Sequence, residues 1–353
     1  MITRSLSNGS TVVDWTEEVS EIPNQYGLFN ALGLFDGKGV SQESVIFDKD
    51  TSTTTMIPQT NRRVGSAFKN KERALETFSV ALPYFKHEDA IFPGDVQGWR
   101  MGGTPDQAED LPNVRMGKFE DMKRNANQTI EYMKIQAAKG ITLDPEGTTI
   151  VNMFTEFGES QKDIDFLLGT AATNIDGKIA ELKRYVAKHA KTGGAVGKIE
   201  VPCSPEFFDA LTQHPNMIAA YTYYQNSGKQ LNRDDLSMYE SWGVVDTFEH
   251  KGIKFFSYDA VFNQPDGTEV RAFGSSSGVD LQVGYSIVKG MSGLYRGYFG
   301  PANTLSGANK PGQEMHLYEY RDPKDKFLEL ELEMAPLYFL TKPLVSVKCS
   351  TST

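Results

Sequence analysis

The sequence predicts an α+β fold organised around one long helix, and three observations carry that prediction. Phe119, Met122, Ala126, Ile130, Met133 and Ala137 recur at three- and four-residue steps between Pro112 and Gly140. From Phe327 to Met334 the chain alternates strictly, with Leu328, Leu330, Leu332 and Met334 on one face and Phe327, Glu329, Glu331 and Glu333 on the other. Between these two segments, and mostly after Gly252, short β-rich runs are separated by turn residues.

The elements follow in chain order. Residues 1 to about 50 carry few periodic apolar positions, an acidic group at Asp14, Glu17, Glu18 and Glu21, and short apolar pieces such as Tyr26–Phe29. That pattern reads as an extended arm unable to build its own core. Ser44–Phe47, and Phe78, Val80 and Leu82 alternating with Thr77, Ser79 and Ala81, predict two strands flanking a long excursion. Within the excursion, Asn61 to Arg73 holds Arg62, Arg63, Lys69, Lys71 and Arg73 against the single acid Glu72. A charge run of this kind forms a solvated face or, in the functional reading, a projecting loop that docks on an acidic neighbour. The long helix has Pro112 at its start and Gly140 at its end, as start and stop signals require. At 1.5 Å per residue it spans roughly 35–40 Å, a length suited to a structural beam.

A strand pair is expected around Thr148 to Phe157, after the turn Asp144–Gly147. A second helix should run from the N-cap Asn174 to Lys191, with Ile175, Ile179, Leu182, Val186 and Ala190 as its apolar stripe and Gly193–Gly194 beyond it. Lys198–Pro202 reads as a strand and Pro205–Thr212 as a short helix burying Phe207, Phe208 and Leu211. Gly252–Tyr258 is another strand, Gln264–Gly267 a tight turn, and Gly274 to Pro311 long Gly- and Ser-rich loops.

Composition narrows the function. With 353 residues the chain can hold two or three folding units. No stretch reaches the roughly 18 apolar residues of a membrane span, and MITRSLSNGS lacks the apolar core of a secretory signal, so the protein is expected to fold in the cytoplasm. The net charge of −10 opposes a freestanding nucleic-acid binder, whose affinity comes from neutralising phosphates. It suits either an unrelated cytoplasmic protein or a container wall that must not hold its contents, and charge alone does not choose between them. Cys203 and Cys349 make no disulfide framework, and the five scattered histidines offer no metal-ligand spacing.

No catalytic constellation emerges. Gly307–Gly312 contains Lys310, but Pro311 follows it where a phosphate loop needs Ser or Thr. Gly37–Gly39 lacks spaced glycines, and no Gly-x-Ser-x-Gly elbow occurs. The acid pairs Asp163/Asp165 and Asp234/Asp235 read as solvated turn residues. No catalytic residue, cofactor or metal is therefore expected.

The C-terminal half then resembles a known family on a series of ordered phrases. They are Cys203–Leu211 with His214-Pro215 and Ala219–Tyr221, Phe248–Tyr258 with Asp266-Gly267, Tyr298–Asn303, and Ala335–Leu337 with Lys342–Val345. These phrases are similar to the lambda-like major capsid proteins of tailed phages, the major capsid protein E family. Upstream, the order of arm, hairpin loop, long helix and strand turn from Asn24 to Phe157 also matches.

The resemblance implies a Hong Kong 97-type capsid fold and a division of the chain. It implies an N-terminal arm at 1–43, an extended hairpin loop (E-loop) at 44–82, and a peripheral P-domain at 83–169 and 314–353 with its spine helix at about 112–140. An inserted A-domain would occupy 170–313. It further implies self-assembly into hexamers and pentamers that close an icosahedral head shell around double-stranded DNA, without sequence-specific binding and without a membrane. Scaffold, portal and decoration proteins are the implied partners. The virion is the implied location, with the host cytoplasm during assembly. Lys69 and Lys71 are candidate crosslinking lysines, but nothing identifies a crosslink, and the uncrosslinked reading is favoured. Two rivals stand beside this reading: an encapsulin-like nanocompartment of the same fold, and a cytoplasmic enzyme with a site in the 274–311 loops.

Overall fold

In a computed structural model, residues 2–5, 11–14, 27–50, 75–97, 111–190, 197–226, 244–274 and 281–352 are described. The expected helix forms as Leu111–Lys139, 29 residues or about 43 Å at 1.5 Å per residue. Every residue of its predicted stripe, from Phe119 to Ala137, is buried. Burial goes further than the stripe, because the last third of the helix is enclosed on all sides. Ile130, Met133 and Ala137 face one apolar core, while Tyr132, Ile135 and Ala138 face another. The helix is thus the partition shared by two cores, which explains a length that one small core would not need.

On one side lies a five-stranded antiparallel sheet in the order Ile2–Ser5, Thr11–Asp14, His316–Arg321, Leu328–Met334, Phe85–Ile91. The alternating strand Leu328–Met334 turns its leucines and Met334 onto the helix, and all four are buried. A three-stranded sheet, Pro336–Leu340, Tyr295–Phe299 and Asp36–Gly39, continues this layer.

On the other side, a larger sheet runs Val244–His250, Ile253–Tyr258, Ile199–Cys203, Val283–Tyr285, Lys348–Ser350, Asp163–Asp165, with Ile287–Val288 beside Ile199–Cys203. The helix Ile175–Ala190 packs against it with all five predicted stripe residues buried, and Asn174 Oδ1 accepts the Gly177 N–H at 3.0 Å as an N-cap should. Pro205–Thr212 is helical as expected, capped by Ser204, with Phe207, Phe208 and Leu211 inward. Pro215–Asn226 forms a further helix.

Four expectations are corrected. The arm is not without a core of its own chain. Leu28–Leu32 is a short helix whose Leu28 and Phe29 are fully buried against the long helix, and two N-terminal strands extend the five-stranded sheet. The strand pair near 148 is Ile141–Leu143 with Thr149–Asn152, and Met153–Phe157 is a helical turn. Its cause is Asn152, whose side chain accepts the N–H groups of Phe154 and Thr155, while Gly158 closes the turn at φ 65°. The Gly-rich stretch 274–311 contains three strands: Val283–Tyr285, Ile287–Val288 and Tyr295–Phe299. They escape local reading because each gains its identity from a distant partner. Asp163 and Asp165 stand on a strand, where they accept bonds from Ser350 and Ser352, and not in a turn. Asp234/Asp235 and Gly193–Gly194 lie outside the described residues.

Cys203 and Cys349 are buried and unpaired with each other, and burial pushes both thiols above their ordinary range. They flank Gly284 across the sheet, and a Cβ there would come within 2.9 Å of Cys203 Cβ.

Candidate assembly surfaces

The strands on either side of the expected excursion pair over seven residues each, from Ser44 opposite Ala81 to Asp50 opposite Leu75. The five basic residues between them (Arg62, Arg63, Lys69, Lys71, Arg73) lie outside the described residues, so what the structure defines is the hairpin's root.

A two-stranded hairpin is marginal alone, so its direction depends on what anchors one face. Val45 and Val80 are buried. Phe47 packs on Phe78 at 5.3 Å, on Tyr298 at 5.7 Å and edge-on to Phe339 at 4.5 Å between ring centroids. Lys49 adds a polar clamp: its Nζ donates to the Glu156 carbonyl at 2.8 Å, pairs with Glu76 at 3.1 Å and lies over the Phe157 ring. The opposite face is left open, with Ile46 64% exposed. The root of the hairpin is therefore fixed to the body along one face.

An acidic partner surface is needed if a basic loop is to dock, and the row Glu329, Glu331, Glu333 is the first place to look. Two of the three are taken. Glu333 is 1% exposed, accepting from Tyr84 Oη at 2.6 Å and from the Asn303 N–H at 2.9 Å. Glu331 is 8% exposed and pairs with Lys86 at 3.1 Å; Lys86 also pairs with Glu88. Burial, then the neighbouring Glu333 carboxyl, raises the Glu331 carboxyl above its ordinary range. Bonds from Glu88 and Glu331 hold the Lys86 ammonium above the ordinary lysine range. Burial and Glu333 likewise raise the Tyr84 phenol. Around Glu331 and Glu333 this face is an internally satisfied network.

The outer edge of Phe85–Ile91 is occupied at Ala90 as well. The Ala90 N–H is taken by the Asp89 carboxylate at 2.7 Å, and the Ala90 carbonyl by Lys118 Nζ at 2.7 Å. A strand edge so occupied resists unplanned pairing.

Apolar groups left uncovered within one subunit are further candidate contact points. Leu305 is wholly exposed at the tip of the loop between Gly300 and Gly312. Phe92 and Phe327 form an exposed ring pair at 6.0 Å, and Leu111 and Met116 are exposed at the start of the long helix. Exposed apolar anchors of this kind are what an interface buries.

The Gly307–Gly312 loop makes no phosphate cradle. The N–H groups of Gly307 and Ala308 bond the Thr304 carbonyl, that of Lys310 bonds Gly307, and that of Gly312 bonds Val40. Among the described residues no group of three or more His, Cys, Asp or Glu could hold a metal ion, and no helix is long and apolar enough to cross a membrane. Sequence reasoning missed Glu131, Lys134 and Lys139, which the long helix buries or half-buries off its apolar stripe.

Comparison with known proteins bears on this arrangement. The family model for phage major capsid protein E matches residues 11–350. The major capsid protein of Pseudomonas phage KPP10 is 31% identical over 353 residues, covering 98% of this chain and 97% of that protein. A crystal structure assigned to a prophage capsid protein of E. coli CFT073 aligns with a TM-score of 0.58 at 14% identity, covering 97% of this chain and 99% of that one. The capsid of Myoviridae phage XM1 aligns with a TM-score of 0.51 at 10% identity, covering 94% of this chain and 95% of that one. At such identities the structural likenesses speak to the fold.

Proposed function

The chain belongs to the phage major capsid protein E family, and from that premise we propose that it is the repeating unit of a tailed-phage head shell. Its role is structural, and its fold is the α+β fold of Hong Kong 97 type. The observation that carries the reading is the match of residues 11–350 to the family across both cores and the hairpin root. The nanocompartment reading has no comparable support.

In this proposal, copies form hexamers and pentamers that close into an icosahedral shell around packaged double-stranded DNA. The shell is built in the host cytoplasm with scaffold, portal and decoration proteins as partners. Ring contacts are heterologous, one face meeting a different face of the next copy until rotation closes the ring. Residues 44–82 serve as the E-loop. Residues 83–169 and 314–353, with the long helix, serve as the P-domain, and 170–313 as the A-domain. Strand pairing crosses these divisions: Tyr295–Phe299 bonds Pro336–Leu340 of the P-domain and Asp36–Gly39 of the arm, and Asp163–Asp165 and Lys348–Ser350 join the large sheet. The crossings tie the two regions into one mechanical unit.

Electron microscopy of the overexpressed protein tests the reading. Closed shells, tubes or sheets are expected; a protein that stays monomeric on a sizing column at high concentration would overturn it.

The basic segment supplies a second expectation. Arg62→Glu with Arg63→Glu should slow assembly at low ionic strength, measured by light scattering, and the effect should shrink as salt rises. Each exposed pair contributes up to ~1 kcal/mol, and repetition over the lattice multiplies it. The Debye length falls from about 30 Å at 0.01 M to about 3 Å at 1 M, which sets the salt range. Unchanged assembly at low salt would rule out docking through this segment.

A further inference from the structure

The arm, the long helix and the large sheet meet at a junction where Glu131 is enclosed and Lys139 is half-buried. Glu131, 0% exposed, accepts the Phe29 N–H at 2.8 Å and the Tyr258 hydroxyl at 3.3 Å on Oε1, and the Asn30 N–H at 3.1 Å on Oε2. One carboxyl thus holds the first turn of the arm helix and a strand of the large sheet to the long helix. One turn on, Lys134 Nζ donates to Asn30 Oδ1 at 2.5 Å and to Glu314 at 2.9 Å, and Tyr338 donates to the same Glu314 oxygen at 2.5 Å.

Two turns beyond Glu131, at about 12 Å by helical rise, Lys139 Nζ donates to the Ala272 carbonyl at 2.6 Å. It lies over the rings of Phe273 and Tyr285 at 5.0 and 5.4 Å. Phe273 itself packs on both Phe29 and Tyr258. Each of these contacts spans segments far apart in sequence, so none holds unless the segments are docked.

We propose that Glu131 and Lys139 form two charge-dependent latches, whose ionisation sets how tightly residues 28–32 and the large sheet are held to the long helix. The charged and titratable groups facing them are Lys134 on the same helix, Tyr258 on the sheet, Glu314 and Tyr338 around Lys134, and Tyr285 beside Lys139.

The direction follows from burial. Enclosure pushes the Glu131 carboxyl up from 4.5 to about 7, against the opposing pull of its hydrogen bonds and Lys134. When the junction opens, water returns the carboxyl towards its ordinary value. The closed form therefore binds the proton more tightly, and closing tightens as pH falls from about 7 towards 4.5. Enclosure pushes the Lys139 ammonium down from 10.5 to about 7, so closing at that end tightens as pH rises above neutrality. The junction is held most loosely near neutral pH and is gripped harder on either side. Local opening of this kind is a normal mode of folded chains.

Hydrogen–deuterium exchange of the full chain from pH 5 to 9, corrected for intrinsic exchange rates, tests this. Protection of residues 28–32 should fall about tenfold per pH unit from pH 5 to 6.5, and protection near Ala272 should rise at a similar rate above pH 7.5. Glu131→Gln should flatten the acid limb and Lys139→Met the alkaline limb, each leaving the other limb in place. Tyr258→Phe, which keeps the carboxyl but removes one donor, should move the acid limb to higher pH. If the corrected wild-type profile is flat, the latch does not exist, whether or not any variant folds. A variant that folds and keeps the complete wild-type profile would remove its residue from the mechanism.

Discussion

Replacing Gly312 with alanine is expected to destabilise the subunit by about 4 kcal/mol, the scale of a severe steric lesion. A Cβ at Gly312 would stand 1.7 Å from the Gly300 carbonyl oxygen and 2.3 Å from its carbon. Both are backbone atoms, so no side-chain rotation relieves the collision. A Cβ at Gly39 would meet the Gly312 oxygen at 2.3 Å, so three chain segments cross here on bare backbone. Their hydrogen bonds lock the crossing: Val40 N–H to Phe299, Gly312 N–H to Val40, and Gly300 N–H to Ala335. The loop closed by this crossing displays Leu305 and satisfies Glu333 through Asn303, so its loss should also lower assembly yield. Gly117→Ala is the control, since nothing lies within 4 Å of its Cβ and it sits inside the long helix. It should be neutral or stabilise by up to about 1 kcal/mol. Urea unfolding of the unassembled subunit reads both. A wild-type midpoint for Gly312→Ala would mean that the crossing is not as close as described.

Leu330→Ala is expected to cost about 3 kcal/mol, within the range of buried leucine truncations. Leu330 is 0% exposed on the strand that has partners on both sides, and it packs in the core between the five-stranded sheet and the long helix. A cavity there cannot collapse easily, because hydrogen-bonded strands fix the backbone on both flanks. Leu330→Met, which conserves volume, should cost less than about 1.5 kcal/mol. Equal midpoints for the alanine and methionine variants would place Leu330 outside the core.

Much of the helical architecture is legible in the sequence because helices are local. The stripes of Leu111–Lys139 and Ile175–Ala190, the Ser204 cap and the Pro205 start all act within a few residues. The strands inside 274–311 are not legible, since Val283–Tyr285 owes its state to partners near 203 and 349. Nor is the burial of Leu28 and Phe29 legible, because a short apolar piece in a polar stretch does not announce the helix that covers it. Glu131 is the sharpest case. It sits one residue from Ile130 in the apolar stripe, where an acid reads as solvent-facing until the arm's N–H groups are seen pointing at it.

The strand Lys348–Ser350 lies between Val283–Tyr285 and Asp163–Asp165, and its Ser350 hydroxyl reaches Asp163 across 187 residues of chain. The large sheet thus stays in two pieces until residue 350 has left the ribosome. Until then two inner strand edges stand open, and the long helix has only part of its second core to lie against. Closure over so long a loop is slow and comes late. A subunit in which Lys348–Ser350 has not yet docked therefore lacks the finished sheet that joins Val283–Tyr285 to Asp163–Asp165.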